Sequence, residues 1–568
     1  MTTEPQAIAP ARHGGWLRNY SKDWLSQDLM AGLTSAAVVI PKAMAYATVA
    51  GLPLQVGLYT AFVPMAIYAL LGTSRPLSVS STTTLAILSA AALGQVAPEG
   101  GGVALITAGA TLALLVGAML VVASMLRLGF VANFISEPVL VGFKAGIGLV
   151  IVVDQFPKLL GLHIHKQGFL RDLMSIVEQL PHTSVTTLAL AVVLFILIFG
   201  MEHFIPKAPA PLIAIAVAIA AASFLGLPAA GVETVGQVPS GLPKLTWPQL
   251  DLVLALWPAA TGIALMSFTE SVAAARAFKA PSEPPLVPNR ELLAVGLANI
   301  GGSLLGAMSA GGGTSQTAVN RRAGARTQLA GLVTSAAAVA TMLLLAPVIA
   351  LMPQAALAAV VIAYSIELIQ PKEFNAIRRV REVEFRWALI AFVGVILLGT
   401  LNGILVAVIA SMLSLVYNAY NPPVYVLGRK RGANVYRPLS QEHPDDQTWP
   451  GLLLVRVEGR LFFANAQQVS EIIQQMVEQA KPRVVVLDCR AVLDIEYTAL
   501  KMLIEGEEKL RDRGVTLWLA AMNPEMKAVV EKSGLFAMLG RERLFLSLDT
   551  AVQKYESSAA PSTGAPSR

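Results

Sequence analysis

Apolar runs of roughly 17–25 residues, each able to cross the hydrocarbon of a bilayer as a helix, recur from residue 29 to residue 420. Short polar links separate them. Backbone N–H and C=O groups in lipid must be satisfied within the chain, so runs of this kind fold as α-helices. The pattern predicts fourteen segments, at 29–49, 54–72, 81–96, 103–126, 137–155, 185–201, 209–226, 252–275, 291–307, 313–325, 328–350, 355–369, 386–401 and 403–420. Several are short. Thr2 to Asp28 is polar, without a short apolar core or a cleavage site, so the first run reads as a retained helix and not a signal peptide.

An even number of segments puts both termini on one side, and positive charge chooses the side. Basic residues from Arg75 to Arg386 fall on the N-terminal side of the membrane, whereas the opposite links carry only Lys158, Lys166, Arg171 and Lys244. Both termini are therefore expected in the cytoplasm, with the protein in a cell inner membrane. Seven segments precede the Glu233–Trp247 link and seven follow it. An odd number per half forces opposite orientations, which predicts inverted repeats at about 28–226 and 252–420. The small residues of Gly296–Gly306 suit close helix packing.

Within this frame one stretch breaks the pattern. Met308 to Asn320 reads MSAGGGTSQTAVN, three glycines followed by hydroxyls and an amide with no charge. Glycine lets the backbone leave the helix, and Thr314, Ser315, Gln316 and Thr317 can satisfy the freed groups. A helix restarting there aims unpaired N–H groups and its positive dipole end into the break, a receptor for a small anion. Leu77 to Leu85, with Ser80, Ser81, Thr82 and Thr83, is the same kind of start in the first half. Paired interruptions at corresponding places in two halves point to a transporter site. The competing reading is a loop with helix caps and packing hydroxyls.

After Pro422-Pro423 the composition changes. A linker over 422–450 leads into alternating strands and helices over 451–556, a small cytoplasmic α/β domain. Residues 557–568 are Ser/Pro/Ala-rich and expected to be disordered, and 1–27 form a cytoplasmic N-terminal segment. Cys489 is the single cysteine, which excludes an internal disulfide and a cysteine metal site. His163 and His165, two apart, read as solvated. Gly311-Gly-Gly313 lacks the Gly-Lys-Ser/Thr of a phosphate loop, and no nucleophile or metal cluster is evident, so an enzyme or ATP-driven pump is not supported. The net charge of +6 sits at membrane edges and needs no nucleic acid.

Motifs along most of the chain resemble the sulfate permease (SulP) anion transporters, whose animal relatives are solute carrier family 26. They include Asp28-Leu-Met-Ala-Gly-Leu-Thr34, Ile40-Pro-Lys-Ala-Met-Ala-Tyr-Ala47, Glu270-Ser271, Glu291 to Ile300, Thr317-Ala-Val-Asn320 and Gly324-Ala-Arg-Thr327. Phe463-Ala-Asn-Ala466 with Asp488-Cys489 is similar to the family's C-terminal STAS domain. The resemblance implies two inverted seven-helix repeats arranged as a core and a gate domain, with the anion between the facing ends of the short third and tenth helices. It also implies a homodimer, and cytoplasmic regulators at the STAS domain. Three departures bear on the substrate. Ser80-Ser81 stands where relatives usually have Gly-Pro, Gln316 where many have Arg, and Lys42 where Gln or an acid is common.

The substrate-binding set expected is therefore Ser80, Ser81, Thr82, Thr83, Gly313, Thr314, Ser315, Gln316, Lys42 and Tyr46. A lysine at membrane depth must face a cavity or a partner. Lys42 reads either as an anion-attracting residue or as a snorkelling or structural cation paired with Glu270. Tyr46, one turn on, suits packing as well as anion contact. Glu270 resembles the family's acidic coupling position, with a proton or Na⁺ as the coupling ion and Lys42 or Arg276 as structural alternatives for a partner. Glu137 and Lys144 read as structural or gating, Asn299 and Asn320 as helix caps or cross-links more than as substrate ligands. In the STAS-like domain Thr498 is the hydroxyl placed for phosphorylation. Exchange or symport of small inorganic or carboxylate anions is the expected function. A passive channel and a membrane-anchored sensor are the rivals.

Overall fold

The computed structural model describes residues 15–18, 20–96, 102–133, 136–164, 168–205, 208–236, 241–281 and 283–559. His165, Lys166, Lys207, residues 1–14 and residues 560–568 of the tail lie outside them. The chain divides into two compact units, Met1–Met412 and Leu413–Arg568.

A helix stands at each expected apolar segment. They are α1 (Leu25–Val49), α2 (Leu54–Leu71), α3 (Thr83–Val96), α4 (Gly102–Met125), α5 (Glu137–Leu160), α6 (Val185–Phe204), α7 (Ala210–Phe224), α8 (Val253–Ala277), α9 (Pro288–Ser303), α10 (Thr314–Arg322), α11 (Leu329–Leu344), α12 (Gln354–Ile366) and α13 (Glu382–Tyr420). α13 covers the last two segments, with a non-helical kink at Gly399 between them. Among the described residues eight helices are long and apolar enough to cross a membrane, and four apolar ones are shorter, including α3 and α7. The nine-residue α10 belongs to neither group. The 328–350 segment is not one helix. It resets at Leu345, because Pro347 has no N–H to continue the ladder, and a separate turn covers Ala346–Ile349. Two amphipathic helices were not expected in the links, Phe169–Gln179 and Pro371–Val380.

Packing sorts the helices into two groups. α1 lies on α2, α10 and α11, and α4 on α8 and α9, while α12 lies on α5, α6 and α7. The α4–α9 crossing is close because glycines face each other. A Cβ on Gly117 would fall 2.7 Å from the Gly296 carbonyl oxygen, which is the contact that the small-residue run foretells. α1 also meets α12 and α7, and α3 meets α5, so α1 and α3 connect the groups.

The second unit holds a six-stranded sheet in the order β10-β9-β7-β5-β3-β4. Its strands are β3 (Val424–Arg429), β4 (Tyr436–Pro438), β5 (Leu452–Val457), β7 (Val484–Asp488), β9 (Thr516–Ala520) and β10 (Leu544–Phe545), with β6 (Gly459–Leu461) and β8 (Val492–Ile495) pairing apart. β5, β7, β9 and β10 run parallel, and β3 is antiparallel to β5. Both faces are buried, as near-continuous Val/Leu strands require. Leu453, Val455, Val485 and Leu517 join one core with helix Ala466–Ala480 and helix Tyr497–Asp512. Leu454, Val486 and Trp518 join the other with helix Leu548–Ala559. The expected linker at 422–450 is a correction. β3 starts directly after Pro423 and its alternating Val424 and Val426 pack on the first core, so the proline pair marks the start of the sheet.

Candidate functional site

Two strands close the break. β1 (Val79–Ser80) pairs antiparallel with β2 (Gly311–Gly312), in the register Val79↔Gly312 and Ser80↔Gly311. Strands were not anticipated here; breaks were. The pairing gives freed backbone groups their partners at membrane depth and fixes α3 and α10 to each other. Gly313 N–H donates to the Ser78 carbonyl at 3.1 Å, and Ser78 N–H to Thr317 Oγ1 at 3.1 Å. α8 supports β2 from behind: Gly312 N–H donates to Ser271 Oγ at 2.7 Å, and Ser267 Oγ donates to the Ala310 carbonyl at 2.7 Å. Asn299 clamps Ala310 through both its groups, and Asn320 Nδ2 donates to the Pro76 carbonyl at 2.9 Å. Both asparagines are cross-links.

Each short helix starts at this knot. In α3 the first intrahelical bond is Ala86 N–H to Thr82 O, and Thr82 Oγ1 caps Leu85 N–H at 3.3 Å. In α10 it is Thr317 N–H to Gly313 O, and Gly313 supplies no side-chain cap. The N–H groups of Thr314, Ser315 and Gln316 thus precede the first intrahelical donor, the end of a helix that attracts negative charge.

A cavity of about 220 Å³ lies against these helix starts. Of the expected residues, Tyr46, Thr82, Thr83, Glu270, Gly313, Thr314, Ser315 and Gln316 line it. Ser80, Ser81 and Lys42 are buried but do not. Ser80 Oγ donates to Gln316 Oε1 at 2.8 Å, while Gln316 Nε2 donates to the Ser81 carbonyl at 3.0 Å. Gln316 is therefore a lock across the break as well as a wall. Ser81 Oγ has no partner among the described residues.

Of the alternatives open for the two charges, the structure places Lys42 and Glu270 apart. Glu270 accepts from Thr84 Oγ1 at 2.8 Å and Thr82 Oγ1 at 3.1 Å, and its ion partner is Lys144 at 3.9 Å. Lys42 Nζ donates to Ser315 Oγ at 2.8 Å and lies 3.4 Å from the centre of the Tyr364 ring. Thr84, Tyr364, Glu367 and Gln370 complete the cavity without having been expected, and Lys144 lines it too. Tyr364 ends an otherwise apolar run and reads as core. Only the approach of α12 to α1 brings it to the site.

The other residues singled out in the sequence lie elsewhere. Glu137 is exposed at the start of α5. His163 Nε2 lies 3.0 Å from Glu233 Oε1, and among the described residues no three His, Cys, Asp or Glu side chains group so as to hold a metal ion. Thr498 is exposed in the first turn of helix Tyr497–Asp512.

The fold and this knot define a multi-pass membrane protein whose buried site is built on two broken helices, joined to a STAS domain. The sulfate permease family model matches residues 25–391 and the STAS domain model residues 443–551, and the chain belongs to the sulfate permease family. It is 35% identical over 543 residues to a probable sulfate transporter of Mycobacterium tuberculosis strain H37Rv, covering 95% of this chain and 96% of that one. It is 30% identical to the chloroplastic sulfate transporter 4.1 of Arabidopsis thaliana, over 95% of this chain and 81% of the relative. Murine solute carrier 26 family member A9, in its inward-facing state, has the same fold with a TM-score of 0.87 at 22% identity, covering 98% of this chain and 96% of that one. The transmembrane domain of the cyanobacterial bicarbonate transporter BicA aligns with a TM-score of 0.59 at 22% identity, over 69% of this chain and 98% of that domain.

Proposed function

We propose that the protein is a secondary active transporter or exchanger of small anions in a cell inner membrane. The observation that carries this is the pair of helix starts, fixed to each other by β1 and β2, at a cavity where hydroxyls and an amide surround those starts. Oriented N–H groups offer an anion the positive end of a helix dipole, with the Lys42 ammonium held on Ser315 beside them. α1, α3, α8 and α10 act as the core that carries the anion and α5 and α12 as part of the gate it moves against. Glu367 and Gln370 line the cavity and precede in sequence the basic link around Arg378 and Arg379, which supports access from the cytoplasm. Two relatives are named sulfate transporters, which supports sulfate first among the candidates of the class, bicarbonate, chloride and dicarboxylates being the others to test.

Glu270 is the coupling residue in this proposal. Two hydroxyls on the α3 start and one ammonium on α5 meet its carboxylate, so a proton or Na⁺ gained or lost there changes how α3, α5 and α8 are held. Uptake of labelled sulfate, bicarbonate and chloride into proteoliposomes, with imposed H⁺ or Na⁺ gradients, tests the reading. One anion should accumulate under one gradient. Glu270→Gln keeps the side-chain shape and should abolish gradient stimulation while sparing exchange. Flux that ignores every gradient in wild type would make the protein a channel. Homodimerisation, and Thr498 phosphorylation as a control on the STAS domain, belong to the same proposal; a phosphate in a helix's first turn is electrostatically favoured. Mass spectrometry of protein from its native host reads Thr498 directly, and an unmodified, fully covered peptide removes that part.

A further inference from the structure

Lys42 is a buried ammonium, 2% exposed; among the described residues no acidic oxygen lies within 4.0 Å of Nζ, and the carboxylates of Glu367 and Glu202 act on it only from farther off. A charge at this depth needs compensation. Its two partners are both neutral, the Ser315 hydroxyl at 2.8 Å and the face of Tyr364 at 3.4 Å. They belong to different groups of helices. Ser315 is on α10, which packs with α1, whereas Tyr364 is on α12, which packs with α5, α6 and α7. Both line the cavity. The ammonium therefore ties α1 to α12 at the cavity wall.

We propose that Tyr364 is a positioning residue for the anion. Its ring holds the Lys42 ammonium while the site has no anion, and an anion seated beside Ser315 draws the ammonium off the ring and frees α1 from α12. This rests on the anion-transport reading above. A ring face attracts a cation through its quadrupole but carries no net charge, so a full negative charge near Ser315 outcompetes it in a site of low dielectric. Part of the anion's binding free energy then goes into separating the two helix groups, the use of binding that favours a later step over mere occupancy. A neutral isostere of the anion has nothing with which to move Lys42. It binds without releasing α12.

The proposal makes the ring, and not the phenol hydroxyl, the working part. The test compares wild type, Tyr364→Phe, Tyr364→Leu and Tyr364→Trp in proteoliposomes, with labelled sulfate, bicarbonate and chloride, reading KM, kcat and the ratio of net uptake to exchange. Phe keeps the ring, so its KM and its ratio of net uptake to exchange move in neither of the directions expected of Leu and Trp. Leu removes the competitor for the ammonium, so KM falls by roughly tenfold, the scale of a desolvated cation–π contact. Net uptake rises relative to exchange, because the anion-free protein is no longer tied. Trp offers a stronger face, so KM rises several-fold. A ring that only fills space would give a higher KM in Leu with the ratio unchanged, or equal effects in Phe and Leu, and either result overturns the proposal. Should Leu fail to fold, Trp decides, an unchanged KM counting against it. If wild type moves none of the three anions, the transport reading falls and this proposal with it. If wild type moves one and Leu matches wild type, only the proposal falls.

Discussion

Gln316 shows how little freedom a residue in this site has. Its amide accepts from Ser80 and donates to the Ser81 carbonyl, so one planar group serves a donor and an acceptor on the opposite segment. Arginine carries five donors and no acceptor. Gln316→Arg adds positive charge at the α10 start, yet it deprives the buried Ser80 hydroxyl of its acceptor and forces a longer side chain into the wall. We expect the lost lock to dominate and kcat/KM to fall by roughly tenfold or more, the effect of one unsatisfied buried group. Initial-rate uptake measures it, and a variant at least as active as wild type would show that the added charge outweighs the lock. The sequence made Gln316, Ser315 and Thr314 visible because polar residues follow glycines inside an apolar run. It made Lys42 visible as a charge at membrane depth, but not its neighbours. Tyr364 and Glu367 are distant in sequence and look like ordinary core and helix-end residues until α12 is brought against α1.

At the scale of elements, the two breaks were legible and the two strands were not. Two-residue strands have no periodicity to read, and β1 and β2 exist only because each has the other. The expected helices at 81–96 and 313–325 are shorter, Thr83–Val96 and Thr314–Arg322, the first starting two residues late and the second ending before Gly324 with its positive φ of 96°. Gly312 is where the pairing is least forgiving. A Cβ there would stand 2.8 Å from Ser271 Cα and 2.7 Å from Leu77 Cδ1, so neighbouring backbone on α8 would have to shift. Gly312→Ala should lower stability by about 1–3 kcal/mol through overpacking. It should also reduce uptake, because α3 and α10 lose their common register. Thermal unfolding of the purified variant, beside its uptake rate, checks both, and an alanine that leaves both unchanged would mean that the strands are dispensable. The same limit explains the strands in 422–450. β3 is six residues long, and its place was hidden by the proline pair in front of it.

For the whole molecule the count of crossings and its orientation are one question, because parity connects them. Between His163 and Arg378 lie seven of the fourteen segments, so the two residues belong on opposite sides, whereas two segments between Arg378 and Tyr497 return the chain to the same side. Charge asymmetry then predicts His163 outside and the other two inside. The protein is suited to cysteine labelling. Its single Cys489 is fully buried, and burial beside the Asp488 carboxylate pushes its thiol well above the ordinary range, so little thiolate is present to react near neutral pH. The three test positions are exposed. A membrane-impermeant maleimide should label His163→Cys in intact spheroplasts, and Arg378→Cys and Tyr497→Cys only after permeabilisation. The mirror pattern would invert the protein and keep the repeats. Labelling of His163→Cys and Arg378→Cys from one side would instead mean that an odd number of the seven segments between them turns back within the membrane, which would break the inverted-repeat relation on which the pairing of α3 with α10 depends.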